Sequence, residues 1–430
     1  MKYITTRNEG AETFAIADAI RQGAAPDGGL FIPASFPSLD IAAFDNADDL
    51  KAIAETLLAP FFEGDRLAPD LGAICASAYN FPAPLKPVGD DGKTYVLELF
   101  HGPTGAFKDY GARFLAAAME RLRAPGAPLT VLAATSGDTG GAVGGAFEDK
   151  EGVHVGILFP KGRISPFQEH QLTCWRGGVK SFAVNADFDA CQALVKQAFA
   201  DKALTEELGL TSANSINLGR LMPQMGYYAE SALKIWRAHG QKANYIIPTG
   251  NLGNAVACVW ARGAGLPIGK VILATNANKT LEEFFATGAY EPRPSVATLA
   301  NAMDVGAPNN FDRLKLFLTD DLAASGVSAA SVDDATIQAR IKTDYAAYDE
   351  VWCPHTATAA EILASLSDEE RAAPWIIAAT AHPYKFRETV EPLIGRDVDC
   401  PPAFRAILDR EAHAEEITAD LGSLAQGLRR

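Results

Sequence analysis

The sequence predicts an α/β protein whose mostly parallel β-sheets are covered by helices on both faces. Short apolar runs alternate with longer helical patterns along most of the 430 residues, as in strand–helix–strand crossover units. The apolar runs are nearly uninterrupted, which is typical of strands buried on both faces. Three of the runs lead into glycine-rich turns that open a helix, and ligands of such sheets bind where strands end. Function is therefore expected at these strand-to-helix turns.

Each predicted element follows from the spacing of its apolar residues. The predicted strands cover residues 95–99, 129–134, 153–159, 181–184, 245–248, 271–275 and 375–379. The predicted helices include residues 12–22, 47–60, 108–121, 188–200, 221–238 and 254–264. The charged stretch 318–350 is also expected to be helical. The segment FPAPLKPVGDDGK at 81–93 is dense in turn formers and marks a boundary, and the chain length fits two or three domains.

Composition and charge narrow the classes of function. The chain has 38 Lys and Arg against 53 Asp and Glu, a formal charge of −15, which argues against a general binder of nucleic acid or anionic membranes. The six cysteines are scattered without a Cys-x-x-Cys pair, as in proteins of a reducing compartment. The N-terminus MKYITTRNEGAETFA lacks the apolar stretch of a signal peptide, and no apolar run approaches the roughly 20 residues of a membrane helix. A cytoplasmic soluble protein is therefore expected.

The first candidate site lies in ELFHGPTGAFKDYGARF (98–114), directly after a predicted strand. Lys108 falls in the first turn of the following helix, where the helix dipole disfavours a cation and lowers its pKa. Burial beside Phe107 and Phe100 would act in the same direction, and Schiff-base chemistry requires a neutral amine. The alternative is a solvated lysine next to a structural turn.

The second candidate site is the turn TSGDTG (135–140), between a buried strand and a Gly/Ala-rich helix. The amides of a helix N-terminus bind anions, and hydroxyl side chains add donors. Ser136, Gly137, Asp138 and Thr139 could therefore hold a carboxylate or a phosphate. The alternative is an ordinary turn in which Ser136 or Asp138 caps the helix.

The third candidate site is the turn in PTGNLGN (248–254), which again joins a strand to a helix. Its glycines let backbone amides approach a ligand, and the helix dipole favours a dianion, as in a phosphate cradle. The turn is neither a Walker loop nor a Gly-x-Gly-x-x-Gly fingerprint, so it indicates a mononucleotide or a phosphorylated cofactor rather than a dinucleotide. The residues of this cradle are Gly250, Asn251, Leu252, Gly253 and Asn254.

Two further polar segments could hold a second anion, although each of their residues could equally be a cap or loop residue. They contribute Lys161, Arg163 and Ser165 from PKGRISPFQ, and Asn214, Ser215, Asn217 and Arg220 from NSINLGRL. The close pairs His170/Cys174 and Cys353/His355 lack the further ligands of a metal site, so no metal is expected. Without a Gly-x-Ser-x-Gly elbow, a hydrolase triad has no starting point.

The motifs, in this order, resemble those of the pyridoxal-phosphate enzymes of fold type II, the tryptophan-synthase-β type. Within that group, these blocks are similar to the threonine synthase family: FHGPTGAFKDYGARF, ATSGDTG, GRISPFQ, DFDACQALVK, SANSINLGRL, PTGNLG, NAMDVGAPNN and TAHPYKF. The N-terminal TRNEGAETFAIADAIRQGAAPDGGLFIP resembles the start of the bacterial and fungal form. The resemblance implies two open, mostly parallel sheet domains and an extra N-terminal region. The implied parts are that region (1–92), a small sheet domain with the cofactor lysine (93–242), and a large sheet domain with the cofactor-phosphate loop and C-terminal helices (243–430).

The resemblance also implies roles for individual residues. Lys108 occupies the place of the Schiff-base lysine, and Gly250 to Asn254 match the loop that binds the cofactor phosphate. Thr380, in TAHPYKF, sits where such enzymes place a hydroxyl against the pyridine nitrogen. The turn 136–139 matches the one that holds substrate anions, although many relatives outside the threonine synthases carry Asn where this chain has Asp138.

The implied cofactor is pyridoxal phosphate, and the implied reaction converts O-phospho-L-homoserine and water to L-threonine and phosphate, the last step of threonine biosynthesis. A sister enzyme would instead eliminate phosphate and yield 2-oxobutyrate and ammonia. A β-replacing enzyme or dehydratase acting on serine or threonine, and a non-catalytic sensor of a phosphate ligand, are further alternatives. Relatives of this form suggest a monomer, with a dimer as the alternative, and neither nucleic acid nor membrane is expected as a partner.

Overall fold

The computed structural model describes residues 1–7, 12–124, 126–135 and 137–430. The described strands are β1 (Tyr3–Thr5), β2 (Phe31–Pro33), β3 (Leu85–Pro87), β4 (Thr94–Glu98), β5 (Thr130–Ala134), β6 (His154–Pro160), β7 (Val179–Val184), β8 (Leu210–Ser212), β9 (Ala243–Pro248), β10 (Ile268–Thr275), β11 (Val327–Ser331), β12 (Trp375–Ala379) and β13 (Glu415–Ile417). They form two larger, mostly parallel sheets and one short antiparallel pair. The predicted α/β class with mostly parallel sheets is confirmed.

Helices connect nearly all of these strands. They are α1 (Ile16–Gln22), α2 (Leu50–Phe62), α3 (Leu71–Ala78), α4 (Lys108–Leu122), α5 (Asp138–Phe147), α6 (Pro166–Thr173), α7 (Phe188–Ala200), α8 (Lys202–Leu208), α9 (Leu218–Leu221), α10 (Met225–His239), α11 (Gly253–Gly263), α12 (Thr280–Thr287), α13 (Phe311–Lys315), α14 (Asp334–Tyr348), α15 (Pro354–Ser365), α16 (Arg387–Ile394), α17 (Pro402–Leu408) and α18 (Leu421–Arg429). Among the described residues, none of the helices is both long enough and apolar enough to cross a membrane.

The strand order brings the predicted sites to neighbouring sheet edges. The larger sheet has the order β11-β10-β9-β12-β4-β3, and its neighbours are parallel except β3 and β4. The smaller sheet has the order β13-β7-β6-β5-β8 and is parallel throughout. Glu98 is paired with Ala379, so β4 and β12 end level with each other, and β9 lies on the other side of β12. The chain segments that leave β4, β12 and β9 therefore start at one edge of the larger sheet.

Most predicted elements are present, and two predictions were wrong in detail. The seven predicted strands correspond to β4, β5, β6, β7, β9, β10 and β12, with ends that differ by at most three residues. The predicted helix 221–238 starts earlier as α9 and passes through a 3-10 turn, Met222–Gln224, before α10, because Pro223 has no N–H group for a regular helix. The stretch 318–350 was expected to be helical but contains β11. This strand pairs only with β10 at the edge of the sheet, where polar residues are tolerated.

Each of the two larger sheets includes a strand from a distant part of the chain. The strand β4, from the predicted small domain, lies inside the larger sheet, and β13, near the C-terminus, pairs with β7 of the smaller sheet. The division of the chain at 92/93 and 242/243 stays a prediction.

The predicted extra N-terminal region is present and is tied to the rest of the chain by buried side chains. Its elements are the β1–β2 pair and the helices α1 to α3. Arg313, in α13, donates from Nε and Nη2 to the backbone oxygen of Phe31 at 3.1 and 2.8 Å. Asn217 donates from Nδ2 to the backbone oxygen of Ile20 at 2.9 Å. Both side chains come from segments next to the candidate sites. The N-terminal region therefore contacts and supports the segments that form these sites.

Candidate active site

The chain that leaves β4 and the chain that leaves β12 are held side by side. The N–H of Phe107 donates to the oxygen of Thr380 at 2.9 Å, and the N–H of His382 donates to the oxygen of Gly105 at 3.0 Å. Thr380 is buried, and α4 begins at Lys108, one residue beyond this contact. The structure thus brings Thr380 next to the start of the helix that carries the predicted cofactor lysine.

Buried polar contacts close the turn that leads into α4. The carboxylate of Asp109 accepts from Thr104 N at 2.9 Å and from Thr104 Oγ1 at 2.7 Å. The backbone oxygen of Thr104 accepts from Lys385 Nζ at 2.7 Å. Gly105 has a φ of +65°, and a Cβ there would lie 2.1 Å from the ring of Phe404, so only glycine fits. The turn is therefore rigid, as a helix start that positions a reactive group must be.

Lys108 is half-buried, and its Nζ lies 5.6 Å from the ring centroid of Phe107. Burial lowers the pKa of Lys108, the carboxylate of Asp138 opposes that change, and the cations Lys385 and Arg220 reinforce it. Burial therefore lowers the pKa of Lys108, as the sequence predicts. The nearby charges were not visible in the sequence.

Asp138 is the first residue of α5, the helix that follows β5 of the smaller sheet. Its Oδ1 lies 2.8 Å from Lys385 Nζ, and the two side chains are 4% and 0% exposed. Burial alone would raise the pKa of Asp138, but Lys385 and Lys108 hold it well below its usual range. An ionised carboxylate at a helix N-terminus is also favoured by the helix dipole. This ion pair joins a helix of the smaller sheet to the chain that leaves β12.

Part of the turn before α5 is hydrogen-bonded within the chain. Thr135 Oγ1 accepts from the N–H of Gly137 at 3.0 Å. A Cβ at Gly137 would lie 2.6 Å from Nε2 of Gln168, so this glycine allows α5 and α6 to approach each other. Thr139 is half-buried in the first turn of α5, whereas Ser136 lies outside the described residues. The roles of Ser136, Gly137 and Thr139 in anion binding stay predictions.

Residues 249–254 join β9 to α11 in a conformation suited to an anion. Leu252 adopts a left-handed φ of 65°, and the N–H groups of residues 250–254 donate to no other group in the described chain. Thr249 Oγ1 and Asn254 Nδ2 are buried without a partner among the described residues. A Cβ at Gly250 would lie 3.0 Å from a backbone oxygen. Free amides at a helix N-terminus, with an unpartnered buried hydroxyl, fit the phosphate of pyridoxal phosphate.

A buried network of hydrogen bonds holds residues 249–254, the segment that contains the predicted phosphate-binding residues Gly250 to Asn254. This segment is called the cofactor-phosphate loop below. Asn310 Nδ2 donates to the oxygen of Asn251 at 2.9 Å and lies 3.4 Å from Ser215 Oγ. Arg313 Nη1 donates to Asn310 Oδ1 at 2.8 Å. A Cβ at Gly253 would lie 3.5 Å from Cβ of Ser215. The loop and the NSINLGRL segment are therefore in contact.

Arg220 is a buried cation with few partners. Only 4% of the residue is exposed, its Nη1 donates to a backbone oxygen, and its Nε has no partner in the described chain. Burial lowers the pKa of Arg220 to about 10. At Gly111 of α4, a Cβ would lie 2.4 Å from the backbone oxygen of Arg220, so the glycine lets α9 approach the lysine helix closely. A bound anion would supply the partner that this guanidinium lacks.

Four other residues predicted to bind anions have different contacts. Lys161 is exposed and forms an ion pair with Glu416 at 2.6 Å, and Arg163 is exposed in the following turn. Ser165 is the N-cap of α6 and accepts a backbone N–H at 3.3 Å. Asn217 donates from Nδ2 to two backbone oxygens at 2.9 Å, and its Oδ1 accepts from a backbone N–H at 2.8 Å. These contacts match the cap and surface roles that the sequence left open, and a part in substrate binding stays a prediction for all four.

Three buried side chains near the site were not predicted: Lys385, Arg313 and His355. His355 Nε2 accepts from the N–H of Ala302 at 3.1 Å, and burial lowers the pKa of His355 to about 4, so the ring is neutral. Lys385 lies inside TAHPYKF, one of the blocks that resemble the family, so the block could have drawn attention to this lysine. Charged residues are rarely buried, however, and nothing in the local pattern shows that these are.

Comparisons with known proteins cover the whole chain. A family model described as pyridoxal-phosphate dependent enzyme matches residues 82–381. Two further models, described as threonine synthase N terminus and as threonine synthase, C-terminal, match residues 2–79 and 356–426. The flanking matches cover the extra N-terminal region and the C-terminal helices.

Curated relatives and solved structures agree with these models. Threonine synthase of Haemophilus influenzae is 41% identical over 91% of both chains. Threonine synthase of Escherichia coli is 38% identical over 96% of both chains. The crystal structure of Escherichia coli threonine synthase matches with a TM-score of 0.90 and 36% identity, covering 100% of this chain and 99% of that chain. That of pyridoxal-phosphate-bound threonine synthase from Brucella melitensis matches with a TM-score of 0.91 and 33% identity over the same shares.

Proposed function

Because this chain belongs to the threonine synthase family of pyridoxal-phosphate-dependent lyases, we propose that it converts O-phospho-L-homoserine and water to L-threonine and phosphate at Lys108. The observation that carries the proposal is the buried cation Arg220, whose Nε has no partner in the described chain. Burial and the charge of Arg220 both lower the pKa of Lys108. The cofactor-phosphate loop, which contacts the segment of Arg220 through Ser215, provides a second anion site. A phosphorylated cofactor and a phosphorylated substrate require two such sites.

Lys108 would hold the cofactor and, once released by the substrate amine, would move protons at the α and β carbons of the substrate. Bound pyridoxal phosphate supplies the electron sink for this chemistry. Residues 249–254 would bind the cofactor phosphate. The hydroxyl of Thr380, which lies beside the start of α4, would contact the pyridine nitrogen. The rigid turn before α4 fixes the path of Lys108.

Arg220 would bind the phosphate of the substrate, and the hydroxyl groups of Ser215 and Thr139 would be further donors. The substrate phosphate leaves from the γ carbon, and the guanidinium stabilises the negative charge that develops there. Water then adds at the β carbon, and Lys108 moves the accompanying proton. Burial strengthens each of these electrostatic contacts because bulk water is excluded.

A product assay on phosphohomoserine, with the full chain and added cofactor, tests the proposal. Phosphate and threonine should appear in equal amounts. If 2-oxobutyrate and ammonia replaced threonine, the phospho-lyase alternative would be correct. The names of the relatives favour threonine formation.

The Lys108→Ala variant should lose both the visible absorbance of the bound cofactor and turnover. Lys51→Ala is the matched control, because that lysine forms an exposed ion pair of small energetic value with Glu55 and should keep both signals. A colourless protein whose lysine does not react with borohydride would support the sensor alternative. Full activity of Lys108→Ala would refute the assignment of the cofactor lysine.

We also propose that the enzyme acts in the cytoplasm as a monomer. The scattered cysteines support the compartment, and the resemblance to the bacterial and fungal form supports the oligomeric state. Light scattering on the purified full chain separates a monomer of 45.6 kDa from a dimer.

A further inference from the structure

Lys385 is a fully buried lysine that the proposed mechanism does not use. It lies in the 3-10 turn Pro383–Phe386, directly after β12 and Thr380. Its Nζ donates to the oxygen of Thr104 at 2.7 Å and pairs with Asp138 Oδ1 at 2.8 Å. Both the turn before Lys108 and the first residue of α5 are therefore held by one ammonium group.

A buried ion pair is an expensive way to join two elements. Removing two charges from water costs several kcal/mol, and apolar residues of similar size often stabilise a fold as well or better. The two charges of the Lys385–Asp138 pair also act on Lys108, the residue proposed to hold the cofactor. A role in controlling charge explains its presence better than a role in packing.

The charged groups that influence Lys108 change its pKa in opposite directions. Asp138, from α5, favours a charged Lys108, whereas Lys385 and Arg220 disfavour it. His355, from α15, interacts with Lys108 and Asp138 but is neutral, since burial lowers its pKa to about 4. The neighbouring Asp109 is occupied by two hydrogen bonds from Thr104 and interacts with Lys385 and Arg220. Among these described groups, Asp138 is the carboxylate that could pair with Lys108.

We infer that Lys385 is a positioning residue that engages Asp138 and so prevents an ion pair between Asp138 and Lys108. The inference rests on the proposed function, in which Lys108 holds the cofactor. An amine paired with a carboxylate keeps its proton and does not attack a carbonyl. With Asp138 occupied, the amine of Lys108 adds to the aldehyde carbon of the cofactor, and one water molecule leaves, so no further reactant is needed.

The test measures how readily Lys108 reacts, independently of turnover. The full chain is freed of cofactor and mixed with pyridoxal phosphate over a range of pH. The product is trapped with borohydride, and peptide mass spectrometry locates it at Lys108. The pH midpoint of this reaction reports the proton affinity of Lys108.

Lys385→Met removes a cation and frees Asp138, so the midpoint should rise by about one pH unit or more, with about tenfold slower reaction near neutral pH. Lys385→Arg keeps the charge, so its midpoint should stay close to that of the unchanged protein. The double variant Lys385→Met with Asp138→Asn removes the freed carboxylate as well, so the midpoint should return towards the original value. A purely packing role for Lys385 would change thermal stability in these variants without this pattern.

The inference is overturned if Lys385→Met leaves the midpoint unchanged, or if Asp138→Asn does not restore it. Where Lys385→Met does not fold, as judged by circular dichroism, the single variant Asp138→Asn decides. Loss of the carboxylate should lower the midpoint, and an unchanged midpoint refutes the inference. If the unchanged protein is not labelled at Lys108 at any pH, the proposed function fails instead, so the two failures are distinguishable.

Discussion

Replacement of Gly111 by alanine should destabilise the protein and reduce its activity, although alanine is the better helix former. Gly111 lies inside α4, where the exchange alone would favour the helix by about 1 kcal/mol. The added Cβ, however, would lie 2.4 Å from the backbone oxygen of Arg220. An ordinary carbon–oxygen contact is about 3.3 Å, so α4 and α9 must separate by roughly 1 Å. Overpacking of this kind costs about 1–3 kcal/mol, which leaves a net loss of up to about 2 kcal/mol.

The same displacement should reduce catalysis, since it moves Arg220 relative to Lys108. A misplacement of about 1 Å can lower the rate by roughly 10²-fold, so kcat/KM for phosphohomoserine should fall between about ten- and a hundredfold. Thermal unfolding and the phosphate-release assay measure the two effects on the same preparation.

Gly72→Ala is the matched control for this prediction. Gly72 is also helical, in α3, but the three atoms nearest to its Cβ would all belong to the carboxylate of Glu55, the closest at 2.8 Å. That side chain is 42% exposed and can move aside, so the variant should be as stable as the unchanged protein or more stable, with full activity. If Gly111→Ala matched Gly72→Ala in both measurements, the close approach of α4 and α9 would not constrain the site.

Three more outcomes follow from buried groups near the site. His355 and His382 have pKa values lowered to about 4 by burial, against 6.5 in the unfolded chain, so the unfolded state binds more protons between these values. Stability in urea should therefore fall as pH drops from about 6.5 to 4, by up to about 1.4 kcal/mol per pH unit for each histidine, and His355→Gln should reduce the slope. Arg313→Met removes the support of Asn310, so dialysis should release cofactor faster than from the unchanged protein, and equal retention would contradict the brace. Gly250→Ala places a Cβ 3.0 Å from backbone atoms, so fluorescence titration should show a cofactor Kd higher by on the order of tenfold, and an unchanged Kd would place the phosphate elsewhere.

Local patterns in the sequence were sufficient to identify the fold class. They left Lys108 as either a reactive amine or a solvated lysine, and only the resemblance to a known family gave it the role of cofactor lysine. Strands buried on both faces leave continuous apolar runs, and β12 was predicted without error at either end. Two turns were visible in the same way, one with Gly250 and Gly253 and one with Lys108 at the start of α4. Their predicted function depends on backbone groups close by in the chain. Such features are visible because the interacting groups are close together in the chain.

Local patterns could not choose between roles that depend on distant partners. The sequence left Asn217 as either an anion ligand or a cap residue, and in the structure its side chain bonds to Ile20 and to two other backbone groups. Strand β11 was missed because an edge strand lacks the apolar run of a central one.

The sequence by itself determined the α/β class, the place of Lys108 at a helix start, and a glycine-rich strand-to-helix turn before α11, because each depends on contiguous residues. Only the tertiary structure decided which charges surround Lys108. Lys385 and Asp138 are more than two hundred residues apart in the chain and meet at 2.8 Å because the fold brings the turn after β12 against the first residue of α5. Burial and pairing of charge are properties of the assembled fold, since they depend on what water can reach and not on neighbours in sequence.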